Sequence, residues 1–377
     1  MKILHFAPTL QSGEASQLAA DLAYALQVFD VHSHLVAPGK ALAGVPASSQ
    51  LRNVPYSPAL LPGAWGHIMK LRSLINERKP DIVQAYGYEA IVTAARACRL
   101  LSASKRPKLV GALIGYPPHA EALQAPELRA CAAITVISKH LRHHLKKMNS
   151  AFVSSWVIPY GVNEILCYPT YRSAEEWRSQ WQSERADLRE RFVVCVPGPI
   201  SAYHGTADIV PIAVTLLQQD IPVQMLVTGS VKQADPAFMT LLRRRARSSG
   251  IEARISWVEN PAQLRDIMCA SHAVLNLASM PEAYNRPMLE ALALGRPVAG
   301  YGHGIAEEYL EAFQPVGIVP VGNYDAIADV LSQWHTYPPD AVERIPYPYR
   351  LSDPAKSYYD LYSSLPYPPP PPPHTGI

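Results

Sequence analysis

Apolar and polar positions form blocks along the chain that predict a strand, then a helix, then another strand. Short apolar runs predict the strands, and segments whose apolar residues recur at helical spacing predict the helices. In the first half, the predicted strands are residues 3–7, 31–37, 80–85, 108–114, 132–137 and 156–159, and the predicted helices are residues 15–26, 68–77 and 139–148. The polar segment 164–191 predicts a connection that carries one surface helix.

The same alternation restarts in the second half of the chain. The predicted strands are residues 192–196, 223–228, 253–258, 273–277 and 297–301, and the predicted helices are residues 208–219, 237–248, 264–269, 287–294, 324–334 and 354–363. Strands that alternate with helices predict a parallel sheet covered on both faces. We therefore expect an α/β protein with two doubly wound, Rossmann-like domains. We expect its ligand site in the crevice between them, beyond the carboxyl ends of the strands.

The blocks also predict where the domains begin and end. We expect an N-terminal, acceptor-side domain over residues 1–165, a linker with a surface helix over 166–191 and a second Rossmann-like domain over 192–336. Residues 337–365 are expected to form a C-terminal crossover helix region, and residues 366–377 a proline-rich tail. Its uninterrupted prolines favour an extended polyproline II segment, which is either a solvated tail or a docking site.

Composition narrows the class of protein. The length of 377 residues suits two domains. Hydrophobic residues make up 48% of the chain and charged residues 17%, a composition that excludes disorder for most of the chain. The formal net charge of +3 argues against a nucleic-acid partner. No apolar run reaches the roughly 18–20 residues that a membrane-spanning helix needs. The five cysteines are odd in number and show no paired spacing, which indicates reduced thiols in a cytoplasmic protein.

The stretch 279–298 carries the strongest chemical signal. It follows the predicted strand 273–277, and Pro287 suits the first turn of a helix. The loop 282–286 is therefore expected at a helix N-terminus on the carboxyl edge of the sheet, where main-chain N–H groups favour an anion. Glu290, one turn into the helix, suits hydrogen bonds from vicinal hydroxyls. Two carboxylates beside an anion site predict a ligand that carries both phosphate and sugar hydroxyls.

Glu282 and Glu290 are eight positions apart, and this Glu-x7-Glu spacing resembles the signature of the family-4 retaining glycosyltransferases of GT-B fold. Residues 157–163 resemble the interdomain phrase of that family, and residues 192–331 follow its nucleotide-sugar-binding domain block by block. The resemblance implies a hexosyltransferase-like enzyme that moves a sugar from a nucleotide-sugar donor with retention. It also implies no cofactor and no metal, and the sequence contains no Asp-x-Asp pair.

The resemblance assigns roles to individual residues. Glu290 is expected to bind the donor ribose, and Glu282, the expected catalytic carboxylate, to hold the transferred sugar near its 3-hydroxyl. Further donor-binding residues are expected in the surrounding loops: His204, Gly205, Tyr284, Asn285, Arg286 and Gly304. In the first half, Gly13 is expected to let the main chain approach the diphosphate or acceptor closely, and His119 to reach the crevice.

Four positions depart from the family pattern, and one of them is Ile305, which stands where the family has the second glycine of a pair near the phosphates. Pro199 and His204 stand where the family carries an Arg and a Lys that neutralise the donor diphosphate. Ile114 stands where the N-terminal domain of the family offers a His. Proline cannot bind phosphate, and a histidine is mostly neutral at pH 7. An active enzyme therefore needs a replacement cation, for which Arg286 is the nearest candidate in sequence.

The predicted helix 139–148 combines an apolar stripe with a basic face. This face is either simply solvated or a contact for anionic lipid headgroups through Lys139, Arg142, Lys146 and Lys147. The lipid contact suits a transferase whose acceptor is a lipid-linked glycan. It would place a cytoplasmic protein at the inner face of the cell membrane.

Three functions remain open from the sequence. The first is a glycosyltransferase that builds a lipopolysaccharide or another surface glycan. The second, which the missing cations favour, is a catalytically degenerate GT-B protein that serves as a binding or scaffolding subunit. The third is a sugar-nucleotide epimerase of GT-B fold, which the Glu-x7-Glu spacing disfavours.

Overall fold

A computed structural model describes residues 1–7, 14–37, 56–58, 63–259, 263–340, 346 and 348–366. Gly13 and the run Pro368–Pro373, both singled out in the sequence, lie outside these described residues. The chain divides into two compact units. Unit 1 contains Met1–Val136, Met148–Ile158 and the helix that begins at Ser352, and unit 2 contains Ile137–Lys147 and Pro159–Leu351.

Unit 1 is built on a seven-stranded sheet whose neighbouring strands all pair in parallel. Its strands are β1 (Lys2–Phe6), β2 (His32–Ala37), β3 (Tyr56–Pro58), β4 (Ile82–Tyr86), β5 (Lys108–Leu113), β6 (Ala133–Val136) and β7 (Trp156–Val157), in the order β3-β2-β1-β4-β5-β6-β7. Its first four helices are α1 (Glu14–Ala25), α2 (Gly63–Arg78), α3 (Tyr88–Arg99) and α4 (Pro126–Arg129). This strand order is that of a doubly wound sheet, which confirms the predicted architecture.

Unit 2 is built on a six-stranded parallel sheet in the order β10-β9-β8-β11-β12-β13. Its strands are β8 (Phe192–Pro197), β9 (Val223–Thr228), β10 (Ile255–Val258), β11 (Ala273–Asn276), β12 (Val298–Tyr301) and β13 (Ile318–Val319). Its helices are α5 (Lys139–Met148), α6 (Glu175–Glu184), α7 (Ile209–Gln218), α8 (Pro236–Ser248), α9 (Leu264–Cys269), α10 (Arg286–Ala293), α11 (Gly304–Phe313) and α12 (Tyr324–Thr336). One face of this sheet packs against α7, α8 and α12 to form an apolar core rich in Val, Ile and Leu.

Helix α5 packs within unit 2, although the sequence places it inside the range 1–165. The main-chain N–H groups of Lys139 and His140 donate to the Glu308 carboxylate on α11, over 3.4 and 3.2 Å. A carboxylate at a helix N-terminus satisfies N–H groups that have no partner inside the helix. Leu141 and Leu145, one turn apart, supply the buried apolar stripe of the helix.

The last helix, α13 (Ser352–Ser364), belongs to unit 1 and is held there by polar contacts as well as apolar ones. The Tyr358 hydroxyl lies 2.9 Å from the Thr135 hydroxyl on β6. The Tyr362 hydroxyl donates to Oε1 of Gln84 on β4 over 3.0 Å. Both tyrosines are buried, so these bonds satisfy polar groups that have no access to water.

Elements α3, α4, α11, β3 and β13 were not predicted, and α4 and β13, with four and two residues, are too short to show a pattern. Helix α3 buries mostly small side chains, Ala90, Ala94, Ala95 and Ala97, which give a weak hydrophobic pattern. Helix α11 begins with Gly304 at φ +61°, a residue and conformation more typical of a loop. Strand β3 has only three residues, too few to show an alternation.

One histidine of unit 1 is fully enclosed. His5 on β1 has no exposed surface, and its Nδ1 lies 2.7 Å from the Tyr86 hydroxyl, while its Nε2 lies 3.1 Å from the Ser33 hydroxyl. Burial, assisted by the nearby His34, lowers the pKa of His5 to about 3. The folded protein therefore holds this ring neutral at pH values where an unfolded chain would protonate it.

We expect this neutral ring to make folding sensitive to acid. Since the unfolded histidine titrates near 6.5, the free energy of unfolding should fall by up to about 1.4 kcal/mol per pH unit below that value. His5→Gln, which keeps a donor and an acceptor but does not titrate, should reduce this slope in urea unfolding at pH 7, 6 and 5. The matched control is His32→Gln, an exposed histidine on β2. Equal slopes for His5→Gln and the unaltered protein would contradict the assignment.

Candidate functional site

The loop between β11 and α10 lies at the carboxyl end of its strand, where the sequence predicted a ligand site. Helix α10 begins at Arg286, and Pro287 occupies its first turn as expected. Asn285 is the N-cap: its Oδ1 accepts a hydrogen bond from the Met288 N–H over 2.9 Å. This cap satisfies one of the free N–H groups and fixes the direction in which the loop enters the helix.

Glu282 is held in the loop by neighbours on both sides. Its Oε2 accepts hydrogen bonds from Nδ2 of Asn285 over 2.8 Å and from Nδ2 of Asn276 over 3.4 Å. Its main-chain oxygen accepts from the Ile305 N–H at the start of α11, over 2.9 Å. Only 12% of the Glu282 side chain is exposed. The carboxylate therefore has a defined orientation at the carboxyl edge of the sheet.

His204 faces the Glu282 carboxylate. Its Nε2 lies 3.7 Å from Oε1 of Glu282, and its Nδ1 lies 2.7 Å from the Ser201 hydroxyl. That hydroxyl also accepts a hydrogen bond from the His204 main-chain N–H. Burial holds the pKa of His204 below its usual range, although the Glu282 carboxylate opposes this shift. A neutral ring that accepts from Ser201 at Nδ1 carries its proton on Nε2, toward Glu282.

Two glycines allow three loops to meet around this carboxylate. Gly205, after β8, has φ +64°, and a Cβ there would lie 1.7 Å from the Leu277 oxygen. Gly304, after β12, has φ +61°, and a Cβ there would lie 2.7 Å from both the main-chain N and O of Glu282. Any other residue would push the loops apart. The structure thus brings His204, Gly205, Glu282 and Gly304 together, although they are far apart in sequence.

Glu290 and Arg286 form an ion pair on the first turn of α10. Nε of Arg286 donates to Oε1 of Glu290 over 2.6 Å, and both side chains are mostly buried. The sequence presents Arg286 as a replacement cation for phosphate. In the structure its charge is already balanced by Glu290, and the pair fixes the position of the Glu290 carboxylate.

Tyr284 is buried rather than directed outward. Its ring packs edge-on against Tyr160, with the ring centroids 5.2 Å apart. The expected contact of Tyr284 with a donor through main-chain N–H groups stays a prediction. The side chain itself fixes the loop to the segment that follows β7.

Sequence reasoning missed Asn276 and Ser201, which orient Glu282 and His204. Asn276 is the last residue of β11, and a polar residue that ends an apolar strand at its carboxyl edge is a signal that was available in the sequence. Ser201 gave no such signal, because a serine in a loop is common. His303, also in these loops, lies with Nε2 2.8 Å from the Ala278 oxygen.

The remaining predicted residues lie elsewhere. His119 is in unit 1, where its Nδ1 accepts from the Ala122 N–H and lies 3.3 Å from a carboxylate oxygen of Glu121. This contact caps a short 3₁₀ helix. On α5, Lys139, Lys146 and Lys147 are exposed and Arg142 is half-buried. Their contact with lipid headgroups stays a prediction.

Two further features of the described residues concern metal binding and membrane crossing. Within the described ranges, no group of three or more His, Cys, Asp or Glu side chains is arranged to hold a metal ion. Among the helices that the structure describes, none is long and apolar enough to cross a membrane.

Comparison with known proteins identifies the fold. No protein-family model matches the chain, and no curated protein matches it. Solved structures do match over nearly the whole length. A glycosyltransferase from Rickettsia africae ESF-5 has a TM-score of 0.77 at 14% identity, covering 97% of this chain and 98% of that one. HepE from Anabaena, in complex with UDP and glucose, has a TM-score of 0.72 at 17% identity, covering 96% and 95%. The lipopolysaccharide outer core galactosyltransferase WaaB has a TM-score of 0.60 at 13% identity, covering 97% and 96%.

The fold is GT-B. The similar structures are glycosyltransferases of this fold, and the two doubly wound sheets of the chain agree with it. At these identities the similarity establishes the fold alone, so the reaction must be argued from the residues of the site.

The close approach at Gly304 is directly testable. Gly304→Ala adds a methyl group 2.7 Å from the main chain of Glu282, so the variant should lose about 1–3 kcal/mol of unfolding free energy beyond the cost of the backbone conformation. Gly322→Ala is the matched control, since Gly322 also has positive φ but nothing within 4 Å of its Cβ position. Chemical denaturation measures both. Similar losses in the two variants would show that the loops around Glu282 are not closely packed.

Proposed function

We propose that the protein is a retaining glycosyltransferase that moves a sugar from a nucleotide-sugar donor to a glycan or lipid-linked acceptor. The observation that carries the proposal is the placement of two half-buried carboxylates, Glu282 just before α10 and Glu290 in it, at the carboxyl edge of β11. Similar structures support it: HepE has been solved with UDP-glucose, and WaaB is a galactosyltransferase.

In this proposal the diphosphate of the donor lies against main-chain N–H groups. Helices α10 and α11 both begin next to Glu282, and each helix N-terminus offers roughly half a positive charge and free N–H donors. Gly304, without a side chain, lets the first turn of α11 lie directly against the main chain of Glu282. These groups act where the family carries Arg and Lys and this chain has Pro199 and His204.

The two carboxylates bind different parts of the donor. Glu290, whose Oε1 is oriented by Arg286, accepts hydrogen bonds from the ribose hydroxyls. Glu282, whose Oε2 is oriented by two asparagines, accepts from a hydroxyl of the transferred sugar and fixes it relative to the phosphates. Orientation of this kind lowers the entropic part of the barrier. Retention and a metal-independent reaction rest on the Glu-x7-Glu resemblance.

The acceptor belongs to the same proposal. A lipopolysaccharide or another surface glycan is supported by the sequence resemblance and by the structural similarity to WaaB. The exposed basic residues of α5 would bring such a protein to an anionic membrane surface, which is where a lipid-linked acceptor lies.

Calorimetry with UDP, GDP, ADP and dTDP tests the donor site, and Glu290 is its most informative residue. Glu290→Ala should reduce the binding free energy of whichever nucleotide binds by about 1.5–3 kcal/mol, since the variant removes hydrogen bonds to a charged group. The unaltered protein should also prefer that nucleotide to its 2′,3′-dideoxy analogue, and the variant should not. This comparison isolates the ribose contact from any effect on Arg286.

Glu176→Ala, which removes an exposed carboxylate of α6, is the control and should behave like the unaltered protein. If Glu290→Ala still prefers the nucleotide to its dideoxy analogue, another residue binds the ribose hydroxyls. No binding of any of the four nucleotides at millimolar concentration would favour the degenerate scaffold over the enzyme.

The protonation of His204 gives the second test. Its pKa is lowered in the ligand-free protein, and a bound diphosphate would raise it, so binding should take up a proton. Nucleotide affinity should therefore rise as pH falls from 8 to 6, by up to about tenfold per unit. Calorimetry in buffers with different ionisation enthalpies counts the protons directly.

Two variants at this position should remove the pH dependence. His204→Lys should bind tightly at both pH values, because its charge is permanent, and His204→Gln should bind weakly at both. His143→Gln, an exposed histidine of α5, should keep the dependence. An unchanged pH profile in His204→Gln would rule out this histidine as the titrating group.

A further inference from the structure

Unit 1 contains a cavity of about 610 Å³ that the proposed function does not use. One wall comes from the end of α2 and the residues that lead into β4, and the other from the residues that lead into β5. The cavity therefore lies at the amino ends of two parallel strands. Substrate sites of open parallel sheets lie at the opposite, carboxyl ends.

The charge of this cavity is strongly positive. Four basic side chains line it, Lys79, Lys105, Arg106 and Lys108, against one carboxylate, Asp81. That carboxylate is already engaged, because its Oδ2 accepts a hydrogen bond from the Lys2 main-chain N–H over 2.8 Å. Such an excess of like charge destabilises a folded protein unless an anion is present.

Two of the four cations are held in place before any ligand arrives. Arg106 donates through Nε to the Leu101 oxygen over 3.0 Å and through Nη2 to the Arg99 oxygen over 3.2 Å. Nζ of Lys108 donates to the Leu365 oxygen over 3.1 Å. Cations fixed by main-chain oxygens lose little side-chain freedom on binding, which favours affinity.

Lys79 lines the cavity from just beyond the end of α2. Its φ is +47°, in the left-handed region that Gly or Asn adopts more easily than Lys. Its main-chain N–H ends α2 by donating to the Ile75 oxygen, a role that needs no particular side chain. Its side chain has no part in this main-chain role and lines the cavity with the other three cations.

We propose that this cavity binds a soluble phosphorylated small molecule with two or more negative charges. The volume falls within the range of small-molecule sites, roughly 300–1,000 Å³. Ser104 and Asn76, which also line it, offer neutral hydrogen-bond donors beside the cations. Its apolar lining, Ile75, Pro80 and Pro107, is buried or half-buried, so no apolar side chain projects as a membrane contact would require.

Inorganic pyrophosphate is a suitable probe of the whole chain. We expect it to slow the acetylation of Lys79 and Lys105 by an amine-reactive ester, followed by mass spectrometry, and to leave Lys70 of α2 unaffected. In calorimetry, Lys79→Asn with Lys105→Gln should lower the affinity at this site at least about tenfold, since each charge-assisted hydrogen bond is worth that factor or more. Lys70→Gln with Arg244→Gln removes the same charge elsewhere and should leave the affinity for pyrophosphate unchanged.

The stability of the double variant separates binding from folding. Asn suits the left-handed conformation, so Lys79→Asn should be at least as stable as the unaltered protein while it loses affinity. Equal protection of Lys70, or unchanged affinity in the double variant, would overturn the proposal. The proposal would also be overturned if the protein bound phosphatidylglycerol vesicles through Lys79 and Lys105 while pyrophosphate failed to protect these lysines from acetylation. That result would favour a lipid surface as the ligand.

Discussion

The candidate site depends on main-chain atoms of three loops that lie closer together than side chains allow. Gly205 and Gly304 make this approach possible, since a Cβ at either would overlap main-chain atoms of the loop after β11. Loops normally keep their polar main chain in water, and here part of it faces another loop instead. The main-chain bond between Ile305 and Glu282 offsets that cost and ties the start of α11 to the acidic residue.

Around this contact the carboxylates have partners within the protein. Glu282 faces His204 and two asparagine amides, and Glu290 faces Arg286. A site of this kind has little net positive charge to offer a diphosphate. An anion would therefore rely on helix N-termini and on a histidine that changes its charge, rather than on permanent cations. Binding would then be more sensitive to pH than in a site with fixed Arg and Lys.

The sequence predicted the parallel sheets, the order of most elements and the place of the acidic loop, because strand and helix periodicities are strong in long apolar segments. It could not predict α3, whose buried face is mostly alanine, or α11, which starts at a glycine. It assigned donor-site roles to Glu282 and Glu290, which stay predictions, and presented Arg286 as an available cation. Only the three-dimensional structure shows that Arg286 is paired with Glu290, since a spacing of four residues on a helix permits that contact without requiring it.

The C-terminal helix has a consequence for how the chain folds during synthesis. Gln84 and Thr135 lie in strands made early, but their tyrosine partners on α13 are made only after all of unit 2. Until those partners emerge from the ribosome, one face of the first sheet keeps its polar groups and neighbouring apolar surface uncovered. Unit 2 can fold as soon as its own residues are available. The order of translation and the order of domain completion are therefore reversed.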